Sequence, residues 1–470
     1  MTAWRSGRVT IGAGSGLAIW LFAGSAEAAP IDGAHLSLWW AFPFLGLLAS
    51  IGLGPLLAEA FWHKHYGKIA VLWAAGLLLA LAWRFGPSAA LAGAEHSLVR
   101  DYLPFILMMY ALYTAAGGVV LRGAHHGRPI LNTLLLAIGA ALGSVVGVTA
   151  ASMIMIRPLL RANNERRRNT HIVVFFIILV SNIGGALTPL GNPPLFLGFV
   201  NGVDFFWPAV NQWPQTLFVM CVLLALFFAI DHWLLRHEGR MASALDSPTR
   251  FGGARNLVLL ALAVAAVVAC GLWKPGVSFD LLGVRVELQD LARDAAMILI
   301  GLASLYLTDR SARIANGFEW GPLVEVAKLF AAIFVCMAPL FAMLEAGREG
   351  PLAALIASMS GPDGEPRPTA YFWFTGLLSA ALDNAPTYLI AFDLAGGDPT
   401  RLMGADAATL RAIGLGAAFM GALSYIGNAP NFMVYAIARR DGFQPPSFFG
   451  FTLWSAAILL PLLIAVSFTL

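Results

Sequence analysis

Long apolar runs joined by short polar connectors fill the chain, and the length of each run predicts what it forms. Runs near 37–58, 67–86, 101–121, 214–235, 255–273, 294–309, 325–346 and 449–468 approach or slightly exceed the ~20 apolar residues that a helix needs to cross a bilayer. Two more, 170–202 and 408–437, are long enough to cross but are interrupted by Gly, Asn and Pro, which brings the predicted full spans to ten. The stretches 131–160 and 369–396 are broken in the middle, at Gly147-Val148-Thr149-Ala150-Ala151-Ser152 and at Leu382-Asp383-Asn384-Ala385-Pro386-Thr387. Backbone that leaves a helix inside lipid needs partners that lipid cannot supply, so these two are read as re-entrant hairpins that turn back at mid-depth. The predicted fold class is an all-α polytopic membrane protein.

The interruptions repeat. Residues 185–196 read GALTPLGNPPLF and residues 421–432 read GALSYIGNAPNF, with seven of twelve positions identical at a constant offset of 236. Chance in a Gly- and Ala-rich chain accounts for the small residues, but not readily for Asn-x-Pro-x-Phe after the same Gly. Proline removes a backbone donor and glycine tolerates non-helical angles, so neither stretch is expected to pass as an unbroken helix. Paired interrupted helices in two halves of a chain are the sequence signature of a secondary transporter's central site.

Loop charge sets the expected topology. His63, Lys64, His65 and Lys68; Arg122 and Arg128; Arg161 and Arg166 to Arg168; Arg236, Arg240, Arg250 and Arg255; Arg310 and Arg313; and Arg439 and Arg440 all fall between apolar runs. Basic loops favour the cytoplasm, and ten spans plus two hairpins put all of them there, with both mature termini outside. The interrupted spans then run in opposite directions, an inverted repeat about an axis in the membrane plane. The expected divisions are 1–28, a cleaved signal peptide (Arg5 and Arg8, an apolar stretch to Ala23, then Ala26-Glu27-Ala28); 29–121, N-terminal helices; 122–254, the first repeat; 255–322, connecting helices; and 323–470, the second repeat.

Composition narrows the class further. With 59% hydrophobic and 12% charged residues and a mean hydropathy of +0.75, the chain is too apolar for a soluble protein of its length. Its net charge of +3 lies in short loop clusters, so it has no nucleic-acid footprint. Cys221, Cys270 and Cys336 lie inside apolar runs and read as buried structural thiols.

The motifs SNIGGALTPLGNPP, SAALDNAPTYL and GALSYIGNAPNF, in this order of elements, resemble the ion transporter superfamily that holds arsenite and dicarboxylate carriers, and within it the citrate transporter and D-type sodium:proton antiporter branch. The likeness covers about residues 35–468. It implies ion-coupled transport by alternating access; the motifs are far less specific for cargo.

Asp383 is the sharpest candidate, because a carboxylate at mid-depth is costly unless solvated, paired or protonated. With Asn384 at a hairpin tip it forms a hard-oxygen site suited to Na⁺, or to a proton when the ion leaves; the bland alternative is a structural pairing with a buried arginine. Ser181 and Asn182 open the first break, Asn192 and Asn428 close the two breaks, and Thr188 and Ser424 offer hydroxyls at equivalent places. These six either line the site or satisfy broken backbone. The superfamily pattern often has an acid where Asn192 stands, so a second carboxylate ligand is in doubt. Arg157 has three readings: an arginine snorkelling to the interface, a counter-charge to Asp383, or a clamp on an anion. Asp231, Asp309 and Arg84 sit at span ends, where solvation is the default, and His171 belongs with the basic loop.

No nucleotide-binding, nucleophile or His/Glu metal motif is present, so an enzyme and an ATP-driven pump both lack their residues. A channel would need a continuous polar pore rather than two half-depth hairpins. The expected activity is sodium/proton antiport with Na⁺ and H⁺ as transported or coupling ions and no other cofactor; the alternative is proton- or sodium-coupled citrate or carboxylate transport. The expected partners are the lipid bilayer of a bacterial-type inner membrane, a small cation or carboxylate as cargo, and a second copy in a homodimer.

Overall fold

The computed structural model describes residues 32–122, 127–238, 250–362 and 364–470; the signal-peptide segment lies outside them. Helices α1 (Phe42–Leu57), α2 (Glu59–Phe85), α3 (Pro87–Ser97) and α4 (Leu103–Ala116) come first. A π turn, Leu98–Tyr102, joins α3 to α4, with the Leu103 amide reaching back to the Leu98 carbonyl. Pro104 lacks the donor that an α-helical bond to residue 100 would use, and a widened turn absorbs the loss.

Next come α5 (Pro129–Val146), α6 (Val148–Ala162), α7 (Thr170–Leu179), α8 (Pro193–Val200), α9 (Trp207–Glu238), α10 (Ala254–Leu272), α11 (Leu288–Leu307) and α12 (Arg310–Ala315). The rest are α13 (Gly321–Glu345), α14 (Ala353–Met359), α15 (Pro368–Ala381), α16 (Asn384–Leu394), α17 (Pro399–Met403), α18 (Ala407–Met420), α19 (Ala429–Arg440) and α20 (Phe448–Ser467). Two short antiparallel ladders complete it, β1 (Val120–Arg122) with the distant β2 (Arg250–Gly252) and the hairpin of β3 (Ser278–Leu281) with β4 (Val284–Glu287).

Among the described residues seven helical segments are long and apolar enough to cross a bilayer, within Leu38–Pro55, α2, α5, α9, α10, α13 and α20. The chain is therefore an all-α integral membrane protein. The runs at 101–121 and 294–309 behave differently from the rest. α4 has only 14 residues, and α11 carries Asp290, Arg293 and Asp294 in its first two turns.

Both broken stretches fold back on themselves. Asn132 and Asn163 exchange amide bonds of 2.9 and 2.8 Å, and a Cβ on Gly139 would meet Met155, so α5 and α6 lie antiparallel about Gly147. That residue has φ of +90°, and a Cβ there would lie 2.9 Å from the Leu190 carbonyl oxygen, a place for glycine alone. In the second stretch the Tyr371 hydroxyl donates to the Leu394 carbonyl at 2.9 Å, closing α15 on α16 about Leu382 and Asp383.

The two interrupted stretches, α7 to α8 and α18 to α19, also lie side by side and antiparallel. Thr170, at the start of the first, donates to Gln444 beyond the end of the second. At the opposite end Gly202 approaches Pro399 and the Trp207 indole reaches the Met403 carbonyl just before α18. They cross where Asn182 bonds Asn431 at 2.7 Å.

The basic connectors gather on one side. Arg161 donates to the Leu121 carbonyl, Arg440 pairs with Glu319 at 2.9 Å, and β1 pairs with β2 across the connectors near 120 and 250. Just inside this face lies a buried network absent from the sequence reading. Arg166 pairs with Asp231 and Glu238, the His171 ring lies 2.9 Å from Asp231, and Asn132 donates to Asp231 at 2.9 Å. Asp231 and His171 are thus not solvated: the ion network clamps α5, α7 and α9 together. Cys221 corrects a second expectation, since it is exposed on the outer face of α9, while Cys336 is buried.

Candidate functional site

Four helices begin at the protein's centre, two of them at the asparagines that the motifs repeat and two at the turns of the hairpins. Asn192 precedes α8, Asn428 precedes α19, Asp383 precedes α16 and Gly147 precedes α6. Each adopts non-helical backbone; α8 opens on Pro193 and Pro194, which carry no amide hydrogen, and the first amide of α6, Val148, donates to the Gly191 carbonyl at 2.9 Å.

The equivalent hydroxyls make equivalent bonds. Thr188 donates to the Ser144 carbonyl at 2.5 Å and accepts from the Gly191 amide at 3.0 Å; Ser424 donates to the Ala380 carbonyl at 2.6 Å and accepts from the Gly427 amide at 3.0 Å. Every partner in the second set stands 236 residues after its counterpart. Each break is thus pinned to the rising arm of its own hairpin, and both hydroxyls are spent on backbone.

The asparagines bridge the two halves. Asn384 donates to the Asn192 amide oxygen at 2.9 Å, and Asn428 donates to the Ser181 carbonyl at 2.9 Å and to Asn182 at 3.2 Å. Asn182 donates in turn to the Ile177 carbonyl at 2.8 Å, and the Ser181 hydroxyl lies 2.9 Å from that of Ser152. After these bonds the Oδ1 atoms of Asn384 and Asn428 and the Nδ2 atom of Asn192 remain buried without protein partners. Leaving such groups unpaired is expensive where no water reaches, and two of the three are oxygen acceptors.

Asp383 is 9% exposed. Its carboxylate caps α16 by accepting from the Ala385 amide at 3.1 Å, and Thr387 donates to its backbone carbonyl at 2.6 Å. No arginine pairs with it among the described residues.

A cavity of about 360 Å³ opens beside this centre. Asp383, Asn428 and Thr149 lie at its inner end, and Glu319, Gly317 and Arg440 belong to the basic-connector side. Glu325 stands in the wall together with Trp62. The described lining therefore has three carboxylates and one guanidinium, which is already paired with Glu319.

The structure brings together eight of the nine sequence candidates: Ser181, Asn182, Thr188, Asn192, Asp383, Asn384, Ser424 and Asn428. Arg157 stands apart. Its Nε donates to the Asn316 carbonyl at 2.8 Å and one terminal nitrogen lies 3.9 Å from Asp441, so it turns towards the basic connectors. Asn431 is the residue that sequence reasoning passed over. It accepts from Asn182 and donates to the Gly421 and Ser424 carbonyls at 2.9 and 3.0 Å. Its signal was its spacing, three residues after Asn428 on the first turn of a helix, where a polar side chain faces the same break.

A family model described as "Putative citrate transport" matches residues 33–470. Among similar proteins, an uncharacterized transporter of Mycobacterium bovis is 26% identical over 341 residues, 71% of this chain and 74% of its own length. A second uncharacterized transporter, from Mycobacterium tuberculosis, is 24% identical over 70% of this chain and 74% of its own length. The 46 kDa membrane protein of Mycobacterium leprae is 25% identical over 70% of this chain and 73% of its own length.

Proposed function

This chain belongs to the putative citrate transport family of membrane transporters, and from that premise we propose an ion-coupled carrier that exchanges Na⁺ for H⁺ by alternating access. The carrying observation is the charge of the cavity: Asp383 at its inner end, Glu325 in its wall, and one guanidinium in its described lining, Arg440, which pairs with Glu319 at the basic-connector end. Beside Asp383, the unpaired oxygens of Asn384 and Asn428 are the neutral hard ligands that a dehydrated Na⁺ takes along with a carboxylate. A proton on Asp383 would release that ion, which couples the two fluxes.

In this reading the two hairpin-and-break units form an inverted repeat, and their rocking against the remaining helices exposes Asp383 to either side in turn. The basic connectors face the cytoplasm of a bacterial inner membrane, both termini lie outside, and a homodimer is the expected assembly.

A second reading, coupled uptake of citrate or another carboxylate, draws on the family's description and on the N-termini of α6, α16 and α19 at the centre, since helix N-termini bind carboxylates without arginine. Proteoliposomes separate the two. Na⁺- or Li⁺-driven proton flux without labelled citrate uptake supports exchange, and saturable citrate uptake without cation-driven proton flux replaces it with the second reading.

A further inference from the structure

The cavity beside Asp383 is much larger than an inorganic cation requires. At about 360 Å³ it has room for on the order of a dozen waters at ~30 Å³ each, and it falls within the ~300–1,000 Å³ of drug-sized ligand sites. Its walls are not those of a hydrated vestibule. Trp62, Tyr113, Phe330 and Phe432 line it together with Leu, Ile and Met side chains. Trp62 and Phe330 are 3% and 5% exposed, so these rings are fixed parts of the core rather than mobile surface groups.

Charge then selects among apolar guests. Glu325 and Asp383 sit among these rings, and Arg440, the lining's one positive group, is held by Glu319. An apolar anion held among these rings would meet two carboxylates, while the guanidiniums of Arg157 and Arg440 stand by Gly317 at the basic-connector end. An apolar cation would meet both carboxylates and the negative faces of the rings, an attraction worth roughly 0.5–2 kcal/mol for each well-placed aromatic. We propose that this cavity binds a hydrophobic organic monocation, of the quaternary ammonium or phosphonium class, as a substrate exchanged against the small cation at Asp383. The proposal rests on the cation reading of the same site.

The test uses the full chain in lipid nanodiscs and two probes of one shape and opposite charge, tetraphenylphosphonium and tetraphenylborate, in equilibrium dialysis. Saturable binding of one phosphonium per chain is expected, at least tenfold tighter than the borate. Glu325→Gln should weaken it about tenfold with little change in thermal unfolding. Ala436→Trp, at an exposed lining position, should block it by crowding the mouth. Equal affinity for the two probes would show apolar partition alone and overturn the proposal, and that comparison needs only the unmodified protein. Phosphonium binding that neither substitution changes would place the guest elsewhere and overturn it too. Na⁺-driven proton flux without phosphonium binding would remove this inference and leave the exchanger standing; loss of both would remove the cation site itself.

Discussion

Replacing Asp383 by Asn separates the carboxylate's two roles, one structural and one chemical. Structurally the side chain caps α16 through a single bond to the Ala385 amide, and Asn caps as well as Asp within a few tenths of a kcal/mol. What is lost is the attraction of the negative charge to the helix N-terminus, about 0.3–1 kcal/mol. The Thr387 contact uses the backbone carbonyl and survives. The variant should therefore insert and unfold within about 1 kcal/mol of the native protein. Chemically, a charged ligand becomes a neutral one. The gap between charge-assisted and neutral bonds, about 1–2 kcal/mol, predicts roughly 5–30-fold weaker Na⁺ binding. Coupled flux should vanish altogether, because no proton can be exchanged at an amide. The assay is Na⁺-driven proton flux in proteoliposomes across the pH range, alongside thermal unfolding in micelles. Asp383→Ala serves as the comparison, since it also deletes the cap and should cost about 0.5–2 kcal/mol more in stability. Native rates in the Asn variant across all pH values would refute the assignment of Asp383, and a collapse of its stability would refute the separation of roles.

Three further outcomes follow from the geometry. Asn182→Ala removes three buried bonds, two of which join the two halves; at about 0.6 kcal/mol per intramembrane bond, rising towards ~1.7, it should lose roughly 2–4 kcal/mol in denaturant titration, clearly more than Asn192→Ala with its single bond. Asp231→Ala leaves the buried Arg166 guanidinium with Glu238 alone and takes the shared acceptor from His171 and Asn132; it should destabilise by about 3–5 kcal/mol in the same titration, whereas Asp231→Asn, which keeps an acceptor oxygen for these donors, should lose clearly less. Arg157→Gln should leave Na⁺ affinity and the pH profile of flux unchanged, because its partners are the Asn316 carbonyl and Asp441; a shift of the pH profile towards alkaline values would restore it as the counter-charge to Asp383.

Sequence alone determined the membrane class, because lipid forces apolar length and internal backbone bonding on anything that crosses it, and both are written locally. It also located the central breaks, since Gly, Asn and Pro disrupt a helix wherever it packs, and eight of nine named candidates stand at those breaks. Tertiary structure decided the rest. Thr188 and Ser424 look like free ligands in a string of letters, but their oxygens are committed to hairpin carbonyls 44 residues earlier. Asn431 joins the centre because two antiparallel stretches cross at Asn182. Arg157 turns away from Asp383, and Asp231 is buried rather than solvated, because the direction of a long side chain and the partners of a span-end charge depend on neighbours distant in sequence. The size and sign of the cavity are likewise non-local, since Trp62, Glu325, Asp383 and Arg440 come from four separate parts of the chain and meet only when the helices between them pack.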